Sequence, residues 1–226
     1  MGRRDEIAAE EPLTFLSERL QAHGVTVEGI TVDTVPAAAT LLTEFSHGLD
    51  SVVTYMNKMS DNLSAENLLK TLSAERNGKP GNAKAGTSLV KQFLHTAGVD
   101  TTKLVMVDGS GLSRYDLTSA DNITQLLVAM AGRSDIFDTY LHSLPVTGTD
   151  GTLSGRMRGT RAEGNLRAKT GTLSGACALS GYVQTADGEM LAFSILINNF
   201  PSGLRMYRAV QDRIGVILSQ MSRTEL

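Results

Sequence analysis

Up to about residue 164 the apolar positions recur mostly every three to four residues, and beyond it they run in short alternating or continuous stretches. The first spacing predicts helices, the second strands. Residues 12–23 read as a helix in which Leu13, Leu16 and Leu20 share a face, Pro12 suits the first turn and Gly24 ends it. Val25, Val27, Ile30 and Val32 suggest a short strand interrupted by Gly29, and Pro36 with the alanines after it reads as a linker. Leu49, Val52, Val53 and Met56 form a helical stripe ending near Met59. A second helix follows on Leu68, Leu69 and Leu72, with Ser64 as its expected cap. Residues 76–86, rich in Gly, Asn and Lys, read as a surface loop before a helix over 88–97, which Gly98 closes.

Residues 103–107 read as a short strand that runs into Asp108-Gly109-Ser110-Gly111, a tight turn. Thr118 with Asp121 resembles a capping box for a helix through Ile123, Leu126, Leu127 and Met130, ending at Gly132. Ile136, Phe137, Tyr140 and Leu141 mark one more short helix, and residues 145–164 have no sustained period and read as loop. From Asn165 three strands are expected: one through Lys169, one over 176–185 and one over 190–197. Asp187-Gly188 between the last two predicts an antiparallel hairpin. A closing helix has Tyr207, Val210, Ile214, Ile217, Leu218 and Met221 on one side. Helices first and an antiparallel sheet later, with apolar stripes on both, give an α/β (α+β) class with helices packed on the sheet.

Composition narrows the possible functions. At 226 residues and 24.1 kDa the chain is long enough to bury a core. A net charge of -3 gives no footprint for nucleic acid, and no apolar run approaches a membrane span. Cys177 is the sole cysteine, so no internal disulfide forms, and no Cys/His cluster has metal-ligand spacing. No metal and no cofactor is expected. The four histidines are scattered and suit surface or capping roles. The opening Met1-Gly2-Arg3-Arg4-Asp5-Glu6 lacks the apolar stretch of a secretory signal.

The chemistry concentrates in Arg167-Ala168-Lys169-Thr170-Gly171-Thr172. On an extended segment Lys169 and Gly171 share one face and Thr170 and Thr172 the other. A cation, two hydroxyls and a backbone position without a side chain are equipment for holding a carboxylate beside a reacting carbonyl. Alone, Lys-Thr-Gly would be an ordinary strand with a surface lysine. Ser60-Asp61-Asn62, at the junction of two expected helices, changes that reading, because such a junction presents short polar side chains rigidly to a cleft.

Ser-x-Asn followed far downstream by Lys-Thr-Gly resembles the penicillin-recognising serine enzymes. Longer stretches are similar to the class C low-molecular-mass penicillin-binding proteins, the D-alanyl-D-alanine carboxypeptidase/endopeptidases. They are Met56-Asn57-Lys58-Met59-Ser60-Asp61-Asn62, Asp108-Gly109-Ser110-Gly111-Leu112-Ser113-Arg114, Leu144-Pro145, Gly148-Thr149-Asp150-Gly151-Thr152-Leu153 and Ala168-Lys169-Thr170-Gly171-Thr172. The resemblance implies a β-lactamase/transpeptidase-like fold. It also implies serine attack on the bond between two D-alanines of a peptidoglycan stem peptide, through an acyl-enzyme. By that resemblance Lys169 supplies positive field, the hydroxyls of Thr170 and Thr172 hold the terminal carboxylate, and the Thr172 N–H is an oxyanion donor. Gly171 lets the ligand come close. Ser60 relays a proton to the leaving amine, and Asn62 holds the substrate amide and steadies the catalytic lysine. Asp108 and Ser110 border the cleft as substrate-binding residues, though a plain turn explains them equally well. β-Lactams are implied ligands, and a periplasmic or extracytoplasmic location is implied although the chain shows no signal peptide.

One departure matters. The family's nucleophilic Ser-x-x-Lys should precede Ser60, and the single match, Ser88-Leu89-Val90-Lys91, follows it and reads as a helix start. Residues 1–226 are therefore expected to be one penicillin-binding domain represented by its C-terminal portion and incomplete, with residues 1–11 open to disorder. A strand over 191–197 that is apolar on both faces should then seek a partner: an N-terminal half, a second copy, or an aggregate. Three readings stay open: a peptidase half-site, a catalytically inert module that binds peptidoglycan peptides or a protein, and a hydrolase using Ser88.

Overall fold

The computed structural model describes residues 3–30, 46–78 and 80–223 of the chain. These fall into two compact units, residues 1–46 and 47–226, where the sequence suggested one domain. The first unit holds helix α1 (Arg3–Ala22), and Pro12 lies inside the helix rather than in its first turn. Gly24 ends it as expected: at φ 80° it lets the chain turn back, and the Val25 N–H reaches the Leu20 carbonyl at 3.0 Å. No strand forms over residues 25–30, and the rest of that expected strand, with the Pro36 linker, lies outside the described residues.

In the second unit α2 (Leu49–Met59) and α3 (Asn62–Asn77) are separated only by Ser60 and Asp61. The cap of α3 is Asp61 and not Ser64, because the Asp61 carboxylate accepts the Ser64 N–H at 2.7 Å. The next helix, α4 (Ala83–Thr96), begins five residues before Ser88, capped by Asn82, so the expected loop over 76–86 shrinks to the few residues between the helices. The apolar run at 103–107 makes no strand; it contributes one isolated bridge, Val105 to Leu117. α5 (Ala120–Ala131) is capped by Ser119 rather than Thr118, and α6 (Phe137–Ser143) follows. Residues 145–164 carry a single 3-10 turn, Gly151–Leu153, yet Leu153, Met157 and Ala162 are buried.

Strands β1 (Arg167–Leu173), β2 (Ala176–Gln184) and β3 (Met190–Asn198) form an antiparallel sheet in that order. Alternation sorts their side chains into two cores. Ala168, Leu179, Val183 and Phe193 face the closing helix α7 (Leu204–Gln220), with Leu153, Met157 and Leu166 filling the gap. Tyr182 and Ala192 face the other way, onto Leu127 of α5 and Phe137, Tyr140 and Leu141 of α6. The Tyr182 hydroxyl donates to the Leu127 carbonyl at 2.6 Å, which satisfies that buried polar atom.

α7 uses only part of the stripe its sequence advertises: Leu218 packs on the core and Tyr207 stacks on Phe200. Val210 and Ile217 are exposed, while Gln211, Gly215 and Ser219 form the buried line. Small side chains allow close approach: a Cβ at Gly215 would stand 2.8 Å from Leu166 Cδ1 and 3.0 Å from Met157 Sδ.

Candidate active site

Ser60 ends α2 in the left-handed region, at φ 57° and ψ 47°. For a residue with a Cβ this conformation costs about 1 kcal/mol. The turn it makes sets the hydroxyl outside both helix cylinders, while the capping bond of Asp61 fixes where the second helix starts.

On β1, the Ala168 N–H is given to the Pro145 carbonyl, away from β2. By the two-residue alternation of a strand, the N–H groups of Thr170 and Thr172 point to that same outer edge. Lys169 extends from the opposite face and donates to Ser60 Oγ at 2.6 Å and to the Thr170 carbonyl at 2.9 Å. Two residues 109 positions apart thus meet at the mouth of a groove of about 1280 Å³. Burial pushes the Lys169 ammonium below its usual pKa.

The groove brings together most of the expected residues: Ser60, Asn62, Ser110, Lys169, Thr170, Gly171 and Thr172 all line it. Asn62 is exposed, and among the described residues its amide has no hydrogen-bond partner, which leaves it available to a ligand. The Thr170 hydroxyl donates to Thr152 Oγ1 at 2.9 Å, and Arg208 donates to Thr172 Oγ1 at 3.1 Å. At Gly171 a Cβ would press on Ala178 Cβ at 3.2 Å and otherwise meet nothing, so the space beside this backbone is open.

Asp108 does not line the groove. Its carboxylate accepts the N–H groups of Gly111 at 2.6 Å and Ser113 at 2.8 Å, and so builds the turn rather than a wall for ligand. The same loop is tied to α3 by Glu66, whose Oε1 accepts the N–H groups of both Gly109 and Ser110 at 3.0 Å. Ser88 is excluded from the groove too. It sits inside α4, donates to the Lys84 carbonyl at 2.9 Å and borders a separate shallow hollow with Asn77 and Asn82.

Sequence reasoning quoted Lys58 and Asp150 inside motifs without giving them work. Lys58 Nζ, with 17% of its side chain exposed, reaches both Asp150 oxygens at 2.7 and 2.9 Å and the Leu144 carbonyl at 2.6 Å. This clamp anchors the 3-10 turn beneath β1 to α2. Gly151, at φ 55°, is needed there because a Cβ would lie 2.6 Å from the Lys58 carbonyl oxygen. The pairing of Met-Asn-Lys with Thr-Asp-Gly was legible only as adjacency to the Ser-x-Asn corner. Arg208 left no signal in the sequence at all.

The profile of the D-Ala-D-Ala carboxypeptidase 3 (S13) family matches residues 3–221. The chain belongs to this family. It is 45% identical over 226 residues to the D-alanyl-D-alanine carboxypeptidase of Actinomadura sp. (strain R39), covering 96% of this chain and 41% of that protein. It is 30% identical over 203 residues to the D-alanyl-D-alanine carboxypeptidase DacB of Haemophilus influenzae, covering 88% and 41%. Among solved structures it resembles penicillin binding protein 4 of Haemophilus influenzae, crystallised with a β-lactam, at a TM-score of 0.76 and 27% identity over 90% of this chain and 50% of that one. This S13 chain therefore has the penicillin-binding fold, helices on an antiparallel sheet, and spans less than half the length of these curated relatives. Among the described residues no helix is long and apolar enough to cross a membrane, and no cluster of metal-ligating side chains occurs.

Proposed function

We propose that this S13 chain supplies the Ser-x-Asn and Lys-Thr-Gly walls of a serine-type D-Ala-D-Ala carboxypeptidase/endopeptidase site, acting outside the cytoplasm on peptidoglycan stem peptides. The attacking serine would come from a Ser-x-x-Lys segment outside residues 1–226. The observation that carries the reading is the 2.6 Å contact between Lys169 Nζ and Ser60 Oγ at the groove. Because the ammonium donates to Ser60, the Ser60 hydroxyl hydrogen is turned toward the groove, where a leaving amine needs a proton. Lys169 also sets a positive field for a terminal carboxylate; the Thr172 hydroxyl would donate to its oxygens, and the Thr170 hydroxyl would do so on turning from Thr152. The outward Thr172 N–H would meet the oxyanion of a tetrahedral intermediate, the charge that develops in the transition state. Asn62 would hold the substrate amide. β-Lactams, which carry a carboxylate beside a strained amide, would fill the same groove; the Haemophilus protein was crystallised in complex with one.

Intact-mass analysis after incubation with labelled penicillin tests the proposal. The chain alone should form no adduct. Mixed with an N-terminal segment bearing Ser-x-x-Lys, taken from the Actinomadura relative, it should yield an adduct on the added serine, and Lys169→Ala should abolish it. An adduct on Ser88 of the lone chain would overturn the assignment, and no adduct in any mixture would favour an inert binding module.

A further inference from the structure

Beside the Lys-Thr-Gly strand stands a second cation that neither the sequence motifs nor the family resemblance assigns. Arg208 projects from the second turn of α7 into the groove wall, and its guanidinium donates to Thr172 Oγ1 at 3.1 Å. The neighbouring cation, Arg156, is already neutralised. Its guanidinium contacts the Asp212 carboxylate at 2.6 Å, and it also donates to Gln211 Oε1 at 3.2 Å and to the Arg208 carbonyl at 3.3 Å. Asp212, one turn beyond Arg208 on the same helix, is thereby occupied. Among the described residues no carboxylate forms an ion pair with Arg208 itself. An exposed guanidinium left without a counter-charge at a groove wall is a receptor for an anion.

Its contact with Thr172 has a directional consequence. A hydroxyl has one hydrogen and two acceptor lone pairs. Arg208 has only donors, so it engages a lone pair and leaves the Thr172 hydrogen to be given elsewhere. The groove side of the strand is where that hydrogen would find an acceptor oxygen. Arg208 also adds its charge to that of Lys169 on the other face of β1, so the two cations bracket the strand edge.

We infer that Arg208 is a positioning residue for the terminal carboxylate: it orients the Thr172 hydroxyl as a donor and makes the groove prefer a peptide ending in a free carboxylate over one ending in an amide. The inference rests on the D-Ala-D-Ala reading of the groove. Apart from the bond of Arg208 to Thr172, the buried contact of α7 with the core runs through Gln211, Gly215 and Ser219, so substitution of exposed Arg208 removes that one bond and leaves the buried contact in place.

The test measures binding by calorimetry, with N-acetylated peptides ending in D-Ala-D-Ala as the free acid or as the C-terminal amide. The unaltered chain should prefer the acid. Arg208→Gln should weaken acid binding about tenfold, the scale of a lost hydrogen bond to a charged group, with the amide changed less than about twofold. Arg208→Lys should recover part of the preference through its charge. An undiminished acid preference in Arg208→Gln would overturn the role of Arg208 alone. Equal losses on both peptides would also overturn it, because they signal a structural effect. If the unaltered chain binds neither peptide even when mixed with the N-terminal segment, its serine replaced by alanine to prevent turnover, the D-Ala-D-Ala reading itself falls.

Discussion

Ser60 and Lys169 define each other. The serine adopts a backbone conformation that residues with a Cβ avoid, and the hydroxyl it displays meets an ammonium whose charge burial has made costly. A lysine with a lowered pKa gives up its proton below the usual lysine value of 10.5. Its attraction for a carboxylate is present while the ammonium is charged and is lost as pH rises through the lowered value. Affinity for a D-Ala-D-Ala acid should therefore decline in a titration before pH 10.5 is reached, and Lys169→Arg should move the decline to higher pH. A flat profile to pH 10.5 would show that Lys169 is not the carboxylate's partner. The residue types at this site were readable from two tripeptides, but which of the two roles open to Asp108 it takes was not. Asp108 has the same letter whether its oxygens accept loop N–H groups or face a ligand.

Among the elements, α7 separates pattern from packing most clearly. Its apolar letters at 207, 210, 214, 217, 218 and 221 suggested the buried face; Leu218 does pack on the core, yet Val210 and Ile217 are exposed and the fully buried line is Gln211, Gly215 and Ser219. Hydrophobic spacing identifies a helix and an apolar stripe, whereas the depth of approach to a sheet is set by side-chain volume. Two substitutions distinguish the faces. Ile217→Lys should leave thermal stability within about 0.5 kcal/mol of the parent, as for an exposed site. Gly215→Val should cost about 1–3 kcal/mol by overpacking against Leu166 and Met157. Thermal melts that reverse this order would return the stripe to the sheet. The helix caps show the same limit: Asp61 and Ser119 took positions that sequence gave to Ser64 and Thr118, because several residues able to cap stand next to one another and only backbone geometry chooses.

For the molecule as a whole, the sheet is covered by α7 on one face and by α5 and α6 on the other, but its edges differ. β1 turns its outer edge to the groove. β3 pairs with β2 alone among the described residues, and its strand is apolar at Leu191, Phe193, Ile195 and Ile197. An unpaired strand of this kind is a template for another chain. With Val210 and Ile217 exposed on α7, the lone chain should associate as its concentration rises in light scattering. A monodisperse monomer with a sharp thermal transition would contradict this. The clamp of Lys58 on Asp150 shows how distant parts are registered: it fixes the turn under β1 to the helix that presents Ser60.

The order of the helices and of the three sheet strands, the hairpin at Asp187-Gly188 and the two candidate site tripeptides were determined by local sequence, because period, turn chemistry and short motifs are properties of neighbours along the chain. What only the tertiary structure decided was which side chains share a space. The meeting of Lys169 with Ser60, the capture of Thr172 by Arg208, the clamp of Lys58 on Asp150 and the inward face of α7 all depend on distances between segments remote in sequence. Such distances follow from packing volume and from which polar groups must be paired on burial, and a string of letters carries neither directly.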